Sequence, residues 1–174
     1  MLLQRKNIRL PFYNYSTPGA YFVTIATKDK REILSEIIVW TVEDAGPEVK
    51  LTDYGRIAEK YLQQMNEFYT HIDIDNYVIM PNHIHFLLVI KSEENQLEYK
   101  SEFCKVNNVN SEISKFVSTF KRFCNKEYGE NIWQSRSYDH VIRGDRDYRE
   151  IYEYISNNPG RWVEDRFYQG EKCE

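Results

Sequence analysis

The chain has 174 residues, 41% hydrophobic and 29% charged with a formal net charge of −4, which suits one soluble globular domain over 1–174 and is short for two. The acidic balance gives no global support for a nucleic-acid partner, so any such partner must be held by a local patch. No run approaches the roughly 20 apolar residues of a membrane span, Met1 to Leu10 lacks a signal peptide's apolar region, and Cys104, Cys124 and Cys173 are too scattered for a disulfide framework or zinc knuckle, so a cytoplasmic protein without membrane contact is expected.

Tyr21 to Thr27, after the turn signal Thr17-Pro18-Gly19, reads as a first strand. Glu32 to Thr41 and Glu48 to Leu51 look like a pair of shorter strands around Asp44-Ala45-Gly46-Pro47. Thr52 or Asp53 then caps a helix whose apolar residues, Tyr54, Ile57, Ala58, Tyr61, Leu62, Met65, Phe68 and Tyr69, recur at helical spacing, with Gly55 a small cost. A strand from about Ile72 to Met80 leads through Pro81-Asn82 into the run Phe86 to Ile90, which reads as a buried strand with His83 and His85 at its head. Lys91 to Asn110 is polar and aperiodic and reads as a mobile surface loop. A second helix runs from about Ser111 to Lys126 with Ile113, Phe116, Val117, Phe120 and Phe123 facing inward, and Gly129 marks its stop. Tyr138 to Ile142 suits a short strand, and a last helix starts near Asp145 and ends at Asn158-Pro159-Gly160.

Without the inserted hairpin this order is β-α-β-β-α-β, the ferredoxin-like arrangement: an α+β fold with a four-stranded antiparallel sheet, helices on one face and a further helix at the C-terminal end. The arrangement hosts many functions and decides none.

Alternation along a strand puts His83 and His85 on one face, where two imidazoles make half of a site for one divalent metal. The same pair also fits two ordinary half-buried histidines. On the terminal helix Tyr148, Ile151, Tyr152 and Ile155 form an apolar stripe, and Asn158 lies one turn beyond Tyr154 on one face. A hydroxyl and a carboxamide would project side by side there, although a flank tyrosine and a helix-capping asparagine have the same spacing. On the second helix Lys115, Thr119, Arg122 and Lys126 form a polar stripe with Lys121 nearby, and Arg136 and Arg143 follow. Such a stripe fits a solvated face, or a surface neutralising phosphates while Trp133 or Tyr138 stacks on a base.

Met80-Pro81-Asn82-His83-Ile84-His85, Ile132-Trp133-Gln134, Asp139-His140-Val141-Ile142-Arg143 and Tyr154-Ile155-Ser156-Asn157-Asn158-Pro159 occur in this order. Together they resemble the single-tyrosine HUH transposases, specifically the REP-associated tyrosine transposase branch, over about Tyr21 to Pro159. The resemblance implies a metal-dependent nuclease and strand transferase acting on single-stranded DNA, often at hairpins, through a 5′-phosphotyrosine. It implies that His83 and His85 bind the metal, that Asn158 is a third ligand borne on the helix, and that Tyr154 is the nucleophile. Such ligands suit Mn²⁺ and tolerate Mg²⁺, and Zn²⁺ also fits them. DNA contact would fall to Lys115, Thr119, Lys121, Arg122, Lys126, Trp133, Arg136 and Arg143.

Two other functions fit the same residues. One is a domesticated relative that binds hairpin nucleic acid without turnover. The other is a metal-dependent hydrolase unrelated to DNA, in which Tyr154 would be dispensable. Monomer and homodimer both remain open at this level.

Overall fold

The computed structural model describes residues 13–38, 46–92 and 111–169. The N-terminal twelve residues, the segment 39–45, nearly all of the loop expected over Lys91 to Asn110, and two cysteines, Cys104 and Cys173, lie outside the described residues.

In chain order the elements are β1 (Gly19–Thr27), β2 (Ser35–Ile38), β3 (Glu48–Leu51), α1 (Asp53–Phe68), β4 (Ile72–Ile79), β5 (His83–Ile90), α2 (Glu112–Tyr128), β6 (Trp133–Val141) and α3 (Gly144–Asn157), and a 3₁₀ turn (Asn158–Glu164) follows α3. Four strands form one sheet in the order β4-β5-β1-β6, with every neighbour antiparallel. β2 and β3 pair with each other as the inserted hairpin. This is the α+β arrangement expected of β-α-β-β-α-β.

Local chemistry sets the helix ends. The Thr52 hydroxyl accepts the Gly55 N–H at 3.2 Å and the Ser111 hydroxyl accepts the Ser114 N–H at 3.3 Å, so each satisfies a donor that its helix leaves open. Gly129 closes α2 in the left-handed region with φ 74°. Gly55 is a packing requirement, because a Cβ there would collide with the Leu34 carbonyl just before β2.

The sheet separates two apolar layers. On one face Tyr21, Val23 and Ile25 of β1 and Ile84, Phe86 and Leu88 of β5 pack against Ala58, Leu62 and Met65 of α1 and Ile113, Phe116 and Phe120 of α2. Each large side chain buried there contributes about 1.5–3 kcal/mol. On the other face α3 lies over Phe22 and Leu87 through Ile155, with Tyr148 and Ile151 beside it. Tyr152 leaves the expected apolar stripe and is 43% exposed.

Two boundaries differ from expectation. β6 begins at Trp133 and not near Tyr138, because the polar stretch Gln134-Ser135-Arg136 is carried as an irregularity of the register between the pairs Ile25–Ser137 and Thr27–Trp133. Asn158 keeps helical angles (φ −58°, ψ −39°) before Pro159, so the chain tightens into a 3₁₀ turn where an end was expected. Proline's fixed φ suits the first turn of that segment, where its missing N–H is not needed. This turn carries the chain back toward the histidines.

Candidate functional site

β5 is buried on both faces, and alternation sends His83, His85 and Leu87 to the α3 side. In the register His83 lies opposite Ala26 and His85 opposite Thr24. The two imidazoles meet with their Nε2 atoms 3.0 Å apart, both rings fully covered. Helix α3 places Tyr154 above His85, phenol oxygen to Nε2 3.5 Å, and its ring packs edge-on against Phe22. The 3₁₀ turn then delivers Asp165. Its Oδ2 lies 3.5 Å from the Tyr154 hydroxyl, 3.3 Å from the Asn158 Nδ2 and 4.0 Å from the His83 Nε2. Asp165 Oδ1 accepts the Phe167 N–H at 2.7 Å, which fixes the carboxylate, and the Phe167 ring stacks on His83.

The hydrogen bonds set the state of His83. Asn82 donates through Nδ2 to the carbonyls of Lys30 (3.2 Å) and Phe167 (2.9 Å), so its Oδ1 is the atom facing the His83 Nδ1 at 3.0 Å. That oxygen only accepts, so Nδ1 carries the proton and the neutral ring presents a bare lone pair at Nε2. His85 is more adaptable. Its Nδ1 meets the Thr24 hydroxyl at 2.8 Å, a group that can donate or accept. With Thr24 donating, His85 Nε2–H bonds to His83; with Thr24 accepting, both Nε2 lone pairs face the same point.

Burial, against a smaller opposing pull from Asp165, lowers the His83 pKa from 6.5 to about 4. Burial, then the neighbouring His83, holds His85 well below its ordinary value. Both rings are therefore neutral at pH 7, the form that binds metal. Burial and then the Asp165 carboxylate raise the Tyr154 phenol above its ordinary value.

Among the described residues, His83, His85 and Asp165 form the one group of three potential ligands, with their ligand atoms within 4.8 Å of one another. The Asn158 Oδ1 is buried with no hydrogen-bond partner. Two neutral imidazoles, a carboxylate and, on the residue whose Nδ2 meets that carboxylate, an orphaned amide oxygen are donor types that suit a divalent cation. The two imidazole nitrogens, 3.0 Å apart, have the separation of adjacent ligands on one such ion, about 3 Å.

No protein-family model matches the chain. A protein of Haemophilus influenzae (strain ATCC 51907 / DSM 11121 / KW20 / Rd) without an assigned activity is 32% identical over 94% of this chain and 93% of its own length. A second protein of that strain, provisionally named a REP-associated tyrosine transposase, is 25% identical over 84% of this chain and 73% of its own length. A solved REP-associated tyrosine transposase bound to a REP hairpin shares the fold with a TM-score of 0.59 at 16% identity, covering 100% of this chain and 94% of that one. The chain resembles the REP-associated tyrosine transposases.

In this relative of the REP-associated tyrosine transposases the four residues singled out for chemistry, His83, His85, Tyr154 and Asn158, converge. Asp165 joins them unforeseen. It sits in a 3₁₀ return beyond a proline, where no helical or strand period carries a signal.

The basic residues are dispersed. Helix α2 lies on the sheet face opposite Tyr154. Lys115 pairs with Glu112 (2.8 Å) and Thr119 bonds to the Tyr69 hydroxyl (3.0 Å). Lys126 borders a groove with Tyr61, Phe68 and Phe123 of the α1–α2 layer. Lys121 and Arg122 border a recess beside β6. Arg136 is exposed on β6, and the exposed Arg143 precedes α3 and donates its N–H to Asp147 at 2.8 Å. Trp133 is buried against Phe120, so its ring face is not free to stack. Tyr138 is 38% exposed, on the Tyr154 side of β6, with the Arg166 guanidinium 5.2 Å from its ring centre. No helix among the described residues is long and apolar enough to cross a membrane.

Proposed function

We propose that the chain is a metal-dependent endonuclease and strand transferase for single-stranded DNA, cutting at hairpin-associated sites through a 5′-phosphotyrosine on Tyr154. The observation carrying this reading is the meeting of the Tyr154 hydroxyl with His85 and Asp165, each at 3.5 Å, beside a His83 lone pair that the Asn82 bond leaves bare. The REP hairpin in the related structure suggests the substrate class.

His83, His85 and Asn158 hold a divalent ion, Mn²⁺ or Mg²⁺, that when bound neutralises and orients a phosphate. Tyr154 arrives as the phenol, because burial and Asp165 raise its pKa. Asp165 is the carboxylate within reach of the phenol's proton. As the tyrosyl oxygen forms its bond to phosphorus, the bond from phosphorus to the 3′ oxygen breaks. The 3′ oxygen leaves as a hydroxyl, taking a proton from solvent. The edge contact with Phe22 holds the Tyr154 ring over the site. The arginine–aromatic pair Arg166–Tyr138 flanks the same face and suits an unpaired base and its phosphate.

The test is a denaturing gel of labelled hairpin DNA from the flanks of the protein's own gene, incubated with Mn²⁺. Wild type should give a denaturant-stable protein–DNA band, and chelator or Tyr154→Phe should abolish it. Binding without any such band would favour the non-catalytic hairpin binder. Metal-dependent hydrolysis surviving Tyr154→Phe would favour the unrelated hydrolase.

A further inference from the structure

We propose that the recess between α2 and β6 seats one backbone phosphate of the nucleic acid, on the sheet face opposite Tyr154. This rests on the DNA reading above and adds a second contact to it.

The recess has a volume of about 320 Å³ and is bordered by Ser118, Lys121, Arg122, Asn125, Trp133 and Ser135 among others, none of them a carboxylate. The Lys121 ammonium is tucked against the strand, donating to the carbonyls of Gln134 at 2.7 Å and Arg136 at 3.5 Å, and it meets no carboxylate among the described residues. Burial lowers its pKa to about 8, the mark of a cation set in place without a counter-ion. The Arg122 guanidinium lies over the Phe123 ring and has no ion pair among the described residues. The Trp133 Nε1–H is buried without a hydrogen-bond partner.

Lys121, held by two carbonyls and meeting no carboxylate among the described residues, and the exposed Arg122 set two cations at one recess whose wall includes the buried Trp133 indole, and an anion is the ligand that complements them. A phosphate supplies both the oxygens and the charge.

Position supports nucleic acid as the source. Ala26 pairs with His83 and the next residue, Thr27, pairs with Trp133. The recess and the histidines therefore occupy one end of the sheet on opposite faces. Between the histidines on β5 and that border lie β1 and the edge strand β6. A single strand crossing the β6 edge passes Arg136 and the exposed Tyr138 on its way from one to the other. Holding a phosphate in the recess would set which bond reaches Tyr154.

The experiment follows the Trp133 indole N–H by ¹H–¹⁵N NMR, assigned through Trp133→Phe. Inorganic phosphate is added first, then a short oligothymidylate lacking terminal phosphates. A saturable shift with both is expected, lost in Lys121→Met and kept in Lys121→Arg. The other indole signals report whether each variant folds. For hairpin DNA, Lys121→Met should reduce the slope of log affinity against log salt by about 0.7, the loss of one single-strand phosphate contact. No shift with either probe would overturn the proposal. A shift with inorganic phosphate alone would overturn it too, assigning the recess to a free phosphomonoester. The readout needs neither metal nor Tyr154, so a missing covalent adduct refutes the nuclease reading without deciding this one.

Discussion

Acidifying the metal-free protein should destabilise it through His83. In the folded chain its pKa is lowered from 6.5 to about 4 by burial, whereas an unfolded chain exposes an ordinary imidazole. Between those values the unfolded state binds a proton that the folded state refuses, so stability rises with pH across that window. It is complete above about pH 6.5 and falls as the pH drops toward 4. The full difference of roughly 2.5 pKa units corresponds to about 3 kcal/mol, and His85, shifted the same way, adds to it. The assay is urea unfolding at several pH values between 7.5 and 4.5 in the presence of chelator, for wild type and His83→Asn. Asparagine can still donate to the Asn82 Oδ1 but does not titrate. Carboxylate pairs common to both proteins cancel in the difference, so wild type should lose up to about 3 kcal/mol more than the variant. Parallel losses in the two would refute the placement of His83 as a neutral, desolvated ring.

Three further outcomes follow from the same geometry. Mn²⁺ at about 100 times its dissociation constant should stabilise the fold by about 2.7 kcal/mol, or about 5–10 °C for a chain of this size. Thermal unfolding of His85→Ala should show no such rise. Thr24→Val removes the hydroxyl that accommodates either His85 tautomer and should weaken metal binding by about 10–100-fold in calorimetry, with the fold retained; unchanged affinity would show that His85 orients itself. Gly55→Ala should destabilise by about 1–3 kcal/mol in chemical denaturation, because the Leu34 carbonyl occupies the space of a Cβ. If helix propensity alone governed the position, it would instead stabilise by about 1 kcal/mol.

What could be read ahead of the structure was what repeats. Alternation in β5 put His83 and His85 on one face, and helical spacing put Tyr154 and Asn158 side by side, because those relations lie within single elements. Asp165 escaped because a 3₁₀ return beyond Pro159 has no such period. The split of the α2 stripe escaped for a different reason. The basic residues share a helix, but what faces each of them depends on the sheet order and on α1, which bring Glu112, Tyr69 and β6 to different positions. Trp133 looked available as a stacking surface while β6 was read as starting near Tyr138; its strand begins five residues earlier and turns that ring into the core.

The most direct test of the central claim is peptide mass spectrometry of the wild-type protein after reaction with hairpin DNA and Mn²⁺, followed by nuclease trimming of the attached strand. The account predicts a nucleotide 5′-phosphate on the peptide containing Tyr154, attached at that tyrosine. An adduct on another residue, such as the neighbouring exposed Tyr152, or cleaved DNA with no adduct at all, would contradict it.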